Sequence, residues 1–75
     1  MSKLPSLTAR QIGKALEHLG FLKIRQEGSH IFSRHPDGRT TMIPNHVGET
    51  IDRGLLNKII KKDLGLDREE FLRSL

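Results

Sequence analysis

One histidine in this chain occupies a position that suits proton transfer. The tripeptide Gly28-Ser29-His30 follows a predicted helix end at Gly20-Phe21 and directly precedes an apolar pair, Ile31-Phe32. Histidine is the side chain whose ordinary pKa, about 6.5, lets it take up or release a proton near neutral pH. The pattern places one imidazole at the mouth of a strand. In a small protein with a net charge of +4, it indicates acid–base chemistry on a polyanion.

RNA is a polyanion that carries its own nucleophile, the 2′-hydroxyl beside each phosphate. A protein that cleaves it must remove that proton, stabilise the charge that builds up at phosphorus, and protonate the leaving 5′-oxygen. One histidine serves one such transfer, which is worth ~10²–10⁴ in rate. His30 is therefore a candidate general base or general acid. Nearby cations would stabilise the charge, and the candidates on adjoining strands are Lys23, Arg25 and Arg34.

The other polar candidates have ordinary structural alternatives. Ser29 either presents its hydroxyl to a phosphate or bonds its own backbone in the turn, and we favour the second. His46 either approaches His30 as a partner in RNA binding or is an ordinary loop histidine. We expect His18 to be solvated and His35 to be structural. No spacing of histidines and carboxylates suggests zinc, so we expect no metal or other cofactor.

Composition limits the class of protein. Seventy-five residues without cysteine predict a single domain over residues 1–75 that is held by packing alone. The sequence has no apolar run of the ~20 residues that a membrane span needs, and no apolar stretch follows Met1-Ser2-Lys3, so we expect a cytoplasmic protein. Up to Lys62 there are eleven basic and five acidic residues. A basic body of this kind suits phosphate binding.

A first helix is predicted over residues 9–19. Thr8 and Gln11 have the spacing of a capping box, and Gly20 suits the left-handed residue that lets Phe21 fold back onto the helix. The apolar stripe of this helix recurs at helical spacing and comprises Ile12, Ala15, Leu16 and Leu19.

The rest of the chain predicts three strands and two helices. Half-buried strands are expected over residues 21–26, 31–35 and 40–43, with turns at Glu27-Gly28 and at residues 35–38. After a loop over residues 44–53, helical periodicity resumes with Leu55, Leu56, Ile59 and Ile60 on one face. A last short helix is expected over residues 68–74. The predicted fold is α+β, with a three-stranded antiparallel sheet packed by two helices in the order α-β-β-β-α plus a C-terminal helix, as in a double-stranded RNA binding domain.

The sheet poses one difficulty for His30. Alternation puts His30, Phe32 and Arg34 on one face. If Phe32 is core, then His30 lies at the rim of that face, or a bulge near Ser29 turns it outward. We expect all three phenylalanines to fit the core, so base stacking is not predicted. The lysine stripe of the second helix is expected to be solvated rather than bound to RNA, and it comprises Lys58, Lys61 and Lys62.

Together these segments resemble the HicA family of toxin ribonucleases over nearly the whole chain. The residues that carry the resemblance are Thr8 through Leu19, Gly20-Phe21, Gly28-Ser29-His30, Pro36-Asp37-Gly38, Ile43-Pro44-Asn45-His46 and Gly54-Leu55-Leu56. The resemblance implies a double-stranded RNA binding domain fold, cleavage of messenger RNA, a HicB-like antitoxin as partner, and His30 as the catalytic histidine. The family often has Gly-Thr-Leu where this chain has Gly54-Leu55-Leu56, so a hydroxyl at the helix entry is lost.

Two alternatives from other classes of protein stay open. One is a noncatalytic RNA-binding module that recognises duplex shape. The other is a protein-interaction domain whose partner covers the sheet and His30. A cleavage assay separates both from a ribonuclease.

Overall fold

The computed structural model describes residues 4–75, and the prediction about Met1-Ser2-Lys3 lies outside them. In chain order, the elements are α1 (Ala9–His18), β1 (Leu22–Glu27), β2 (His30–Arg34), β3 (Thr40–Pro44), α2 (Arg53–Lys58), a π-helical segment (Ile59–Asp63) and α3 (Arg68–Leu72). The strands form one antiparallel sheet in the order β1-β2-β3. The predicted α+β fold is confirmed. No helix within residues 4–75 is long and apolar enough to cross a membrane.

Both predicted ends of α1 are present. The Thr8 hydroxyl accepts from the Gln11 backbone N–H at 3.3 Å, and the Gln11 side chain accepts from the Thr8 N–H at 2.9 Å. At the other end, Gly20 has a φ of +94°, which lets the Phe21 N–H donate to the Leu16 carbonyl at 2.9 Å. This closure directs the Phe21 ring into the core, where it is 1 % exposed.

The second half of the chain contains one feature that the sequence did not predict. Asp52 caps α2 by accepting from the Leu55 N–H at 3.2 Å, so the helix entry does not need the missing hydroxyl. Beyond α2 the helix widens, and the Leu64 N–H donates to the Ile59 carbonyl five residues earlier. This wider turn buries Ile59, Ile60 and Leu64 together.

The C-terminal helix is fastened to α1. The predicted capping box of α3 is present, with Asp67 and Glu70 each accepting a backbone N–H of the other, and Phe71 is fully buried. His18 is exposed, as predicted, but it also has a partner. Its Nδ1 lies 2.6 Å from the Ser74 carbonyl, which joins the end of α1 to the end of the chain.

The helices pack on one side of the sheet. The inward residues of β2 and β3 are Ile31, Ser33, Thr41 and Ile43, and they meet a buried cluster contributed by all the helices. We call the other side the open face, formed by His30, Phe32, Arg34, Thr40 and Met42 with Leu22, Ile24 and Arg25 of β1. No helix within residues 4–75 covers it, and Leu22 and Ile24 are 67 % and 55 % exposed.

Two predictions about the sheet are therefore wrong. Phe32 belongs to the open face and is only partly buried, because the helices cover the opposite side of β2. Strand β1 has no buried residue, since it lies at an edge beyond the reach of the helices. A register irregularity does occur, but it lies between Lys23 and Arg25 rather than near Ser29.

Candidate functional site

His30 is the first residue of β2 and lies at the end of the sheet. It pairs with Glu27 of β1 and with Pro44 of β3. Gly28 adopts a φ of +58°, so the chain reverses in two residues and β2 starts at the histidine. The His30 side chain is exposed, and its imidazole has no hydrogen-bond or ion-pair partner anywhere in residues 4–75. Both ring nitrogens are therefore open to a ligand.

Two arginines share the open face with His30. Arg34, four residues along β2, is exposed and makes no ion pair within the part of the chain that the structure describes. The Arg25 guanidinium lies 4.4 Å from the centroid of the Phe32 ring, and its Nε is 3.3 Å from a carboxylate oxygen of Glu27. The open face thus presents one imidazole and two guanidiniums around a central aromatic ring.

Lys23 does not join this group. The irregularity in β1 pairs Lys23 with Ser33 and Arg25 with Phe32, so Ile24 is the extra residue and its two neighbours point to opposite faces. Lys23 lies on the helix side, where its Nζ donates to Gln26 at 3.0 Å. The three predicted phosphate contacts are therefore divided between two surfaces.

The second surface is a cleft of about 520 Å³ between α1 and the loop after β3. Its lining residues are Thr8, Ala9, Arg10, Lys23, Gln26, Ile31, Asn45, His46, Val47 and Gly48. His46 lies here with Lys23, whereas His30 points to the open face. The structure thus brings the predicted RNA contacts Lys23 and His46 together, and it shows no contact between the two histidines. The lining contains basic residues but no carboxylate.

Ser29 lies where the two surfaces meet. Its carbonyl accepts from the Asn45 N–H at 2.5 Å, which fixes the loop after β3 against the β1–β2 turn. The favoured alternative for its side chain is not observed, because the Ser29 hydroxyl makes no hydrogen bond within residues 4–75. That hydroxyl remains available to a ligand at the end of the sheet.

His35 has a structural role in the β2–β3 turn. Its ring lies edge-on to Phe21, with centroids 5.2 Å apart, and its Nδ1 is 3.0 Å from an Asp37 oxygen. The backbone N–H of Arg39, followed by its guanidinium, donates to Asp37 and holds the pKa of that carboxyl below its usual value. Arg39 also donates to the Leu64 carbonyl. These contacts attach the turn to the helices, and the His35 ring packs within them.

Two polar residues near the site were not predicted. Glu27 lies directly opposite His30, and Arg10 lines the cleft. Glu27 could have been predicted from the pairing of two strands across the Gly28-Ser29 turn. Arg10 could have been predicted from its place on the first helix outside the apolar stripe. Within residues 4–75, no group of three or more histidines and carboxylates is placed to hold a metal ion. The chemistry available at these residues is proton transfer and neutralisation of phosphate charge.

Comparison with known families identifies the chain. The model of the family described as the HicA toxin of bacterial toxin–antitoxin systems matches residues 9–66 of the 75. This range runs from the first residue of α1 past the π-helical segment, and it includes both surfaces described above apart from Thr8 of the cleft. Comparison with curated protein sequences returns no match. The family match extends over well more than half of the chain, which therefore belongs to the HicA family of toxins from bacterial toxin–antitoxin systems.

Proposed function

We propose that this toxin is a metal-independent endoribonuclease that cleaves messenger RNA with His30 as a general acid or base. The observation that carries the proposal is the exposed, unpartnered imidazole of His30 on a face that also presents Arg25 and Arg34. A structural histidine is normally held by a hydrogen bond, as His18 and His35 are in this fold. Membership of a toxin family supports the same conclusion.

The proposed reaction uses the nucleophile of the substrate. The 2′-oxygen of a ribose forms a bond to the adjacent phosphorus while the bond from phosphorus to the 5′-oxygen breaks, leaving a 2′,3′-cyclic phosphate and a 5′-hydroxyl. One group removes the 2′-proton and a second protonates the 5′-oxygen. His30 supplies one transfer, and the carboxyl group of Glu27, its neighbour across the strands, supplies the other. Arg25 stabilises the charge at phosphorus, and Arg34, at the other end of β2, contacts a neighbouring phosphate.

The cleft holds the substrate strand beyond the scissile phosphate. Lys23, His46 and Arg10 contact flanking phosphates there, because the lining is basic and contains no carboxylate to repel them. The free hydroxyl of Ser29 contacts the strand where it passes around the end of the sheet. In this arrangement one continuous RNA strand contacts the predicted residues on both surfaces.

Cleavage of a labelled, unstructured RNA in EDTA tests the proposal. We expect His30→Ala to lose about 10²–10⁴ in rate while keeping the fold, as checked by NMR, because the side chain is exposed and makes no hydrogen bond within residues 4–75. His18→Asn is the matched control, since His18 lies at the far end of α1 and touches neither surface. The same sequence made of DNA should resist cleavage, because it lacks the 2′-hydroxyl that acts as the nucleophile. Equal cleavage by wild type and His30→Ala would refute the proposal, and a folded wild type that cuts no RNA would favour a noncatalytic module.

The partner in this proposal is a HicB-like antitoxin that silences the toxin by covering His30. The open face that carries the histidine also exposes Leu22, Ile24 and Met42, and exposed apolar side chains are frequent at protein interfaces. A messenger RNA substrate places the protein in the cytoplasm. Co-expression tests the masking, because the antitoxin should block cleavage by wild type and bind His30→Ala as well as it binds wild type. An antitoxin that binds without blocking cleavage would contradict masking of the site.

A further inference from the structure

The open face carries an aromatic side chain that the core does not use. Phe32 lies at the centre of the three-stranded sheet, between Arg25 of β1 and Met42 of β3. Its ring is partly exposed, whereas Phe21 and Phe71 are at most 1 % exposed. It is therefore the only aromatic ring within residues 4–75, apart from those of the histidines, that a ligand can reach.

We propose that Phe32 is a stacking platform for one base of single-stranded RNA, next to the nucleotide whose phosphate reaches His30. This inference rests on the proposed ribonuclease function and adds a substrate contact that determines which nucleic acid is accepted. Base stacking on an aromatic ring of a sheet is a general mode of single-strand recognition.

The spacing along β2 fits adjacent nucleotides. His30 and Phe32 are two residues apart on one face, which corresponds to about 6.6 Å along a strand. An extended RNA strand advances by a comparable distance for each nucleotide. A base on the Phe32 ring therefore places a neighbouring phosphate near the imidazole, with Arg34 a further two residues along the same line.

Arg25 occupies the ring in the absence of a ligand, and we infer that a base displaces it. The guanidinium lies 4.4 Å from the ring centroid, but its side chain is 59 % exposed and its ion-pair partner Glu27 is exposed as well. An exposed cation–π contact is weaker than the stacking of a base on an aromatic ring. The displaced guanidinium stays beside the ring, where it can pair with the phosphate of the stacked nucleotide.

The surroundings favour single-stranded RNA over a duplex. Bases in a duplex are stacked on each other and present no free face to the ring. The ring is flanked by Arg25 and Arg34, and the nearby carboxylates are already paired, Glu27 with Arg25 and Asp63 with Lys58. A phosphate-bearing strand therefore meets complementary charge on both sides of the platform.

Fluorescence tests the platform directly, because the chain contains no tryptophan. The protein used is His30→Ala with Phe32→Trp, which leaves the RNA intact and places a single fluorophore at the platform. An unstructured RNA of mixed sequence should quench its emission, whereas the same strand with abasic ribose at every position should not. Leu75→Trp in the same background is the control, since Leu75 lies at the exposed end of the chain. Far-UV circular dichroism checks that both variants are folded.

An affinity measurement accompanies the quenching. Phe32→Leu keeps an apolar side chain but removes the π-face, and we expect it to raise the Kd for RNA by roughly 10- to 100-fold. Phe32→Tyr keeps a ring and should restore binding. A structural role for Phe32 would not produce this difference in Kd between two folded variants.

Each other outcome overturns the platform in a distinguishable way. RNA that binds by anisotropy without quenching the tryptophan assigns the face to another ligand, such as a protein partner, and leaves His30-dependent cleavage standing. Equal quenching by a duplex overturns the preference for single strands. If wild type neither binds nor cuts any RNA, the proposed function fails together with the platform.

Discussion

The contact between β3 and the π-helical segment gives the sharpest prediction about stability. The Thr41 hydroxyl, on a residue that is 5 % exposed, donates to Asp63 Oδ2 at 2.9 Å. Lys58 Nζ lies 3.2 Å from the other carboxylate oxygen. The Asp63 side chain is 17 % exposed and that of Lys58 is 53 % exposed. The hydroxyl therefore depends on Asp63 for its hydrogen bond, whereas the lysine can turn to water.

Asp63→Ala removes a charged acceptor and leaves the Thr41 hydroxyl buried without one. Such a loss costs about 1.5–3 kcal/mol, and the exposed lysine pair adds at most about 0.5 kcal/mol. We expect a destabilisation of about 2 kcal/mol, which lowers Tm by roughly 8–16 °C in a domain of this size. Lys58→Ala should cost at most about 0.5 kcal/mol. Asp63→Asn keeps an acceptor and should fall between the two.

Urea unfolding followed by far-UV circular dichroism measures these differences. Thr41→Val combined with Asp63→Ala completes a double-mutant cycle, and the cost of the pair should be smaller than the sum of the single costs by about 1 kcal/mol. The reasoning is refuted if Asp63→Ala lies within about 0.5 kcal/mol of wild type, which is the range expected of a surface substitution. It is also refuted if Lys58→Ala costs as much, since the ion pair and not the buried hydroxyl would then dominate.

Further predictions concern α1, two turns and the site. Gly13→Ala should raise the free energy of unfolding by about 0.5–1 kcal/mol, since a Cβ there meets open space in mid-helix, whereas Gly28→Ala should lower it by about 1 kcal/mol because φ is +58°; urea melts with the same sign for both would contradict this. The pKa of Asp37 is lower in the folded chain than its ordinary value of 3.8, so the ionised carboxylate stabilises the fold at pH values above 3.8. This stability is lost as the pH falls through the pKa of the folded chain. Asp37→Asn should therefore reduce the acid dependence of Tm, and an unchanged dependence would show that the bonds from Arg39 contribute nothing. Glu27→Gln should lower kcat for RNA cleavage by about 10²–10⁴ with little change in Kd; weaker binding at unchanged kcat would make Glu27 a binding residue instead.

The ends of the helices could be predicted because capping is local. Thr8 with Gln11 and Asp67 with Glu70 form their hydrogen bonds within one turn, and both boxes are present. The π-helical turn at Ile59 could not be predicted in this way. It depends on packing between the helices and the sheet, which cannot be predicted from a stretch of three or four residues.

The site was predicted less completely than the fold. The position of His30 at the start of a strand follows from the short turn at Gly28. The separation of Lys23 from Arg25 depends on the register irregularity between them, and strand alternation alone puts them on one face. Phe32 was expected in the core because aromatic residues usually are. The topology of the fold determines which face of the sheet the helices cover, and this cannot be predicted from the type of a single residue.

The bulge in β1 also protects the sheet from pairing with other copies of this chain. β1 and β3 are the two edges, and a flat edge with free N–H and C=O groups is a template for fibril growth. In β1 the bulge interrupts the regular edge, and the strand carries Lys23, Arg25 and Glu27, whose charges would be crowded by a second sheet. β3 ends at Pro44, which has no N–H to offer. Both edges therefore oppose pairing with a second sheet, which matters for a fold that leaves Leu22, Ile24 and Met42 exposed on one face.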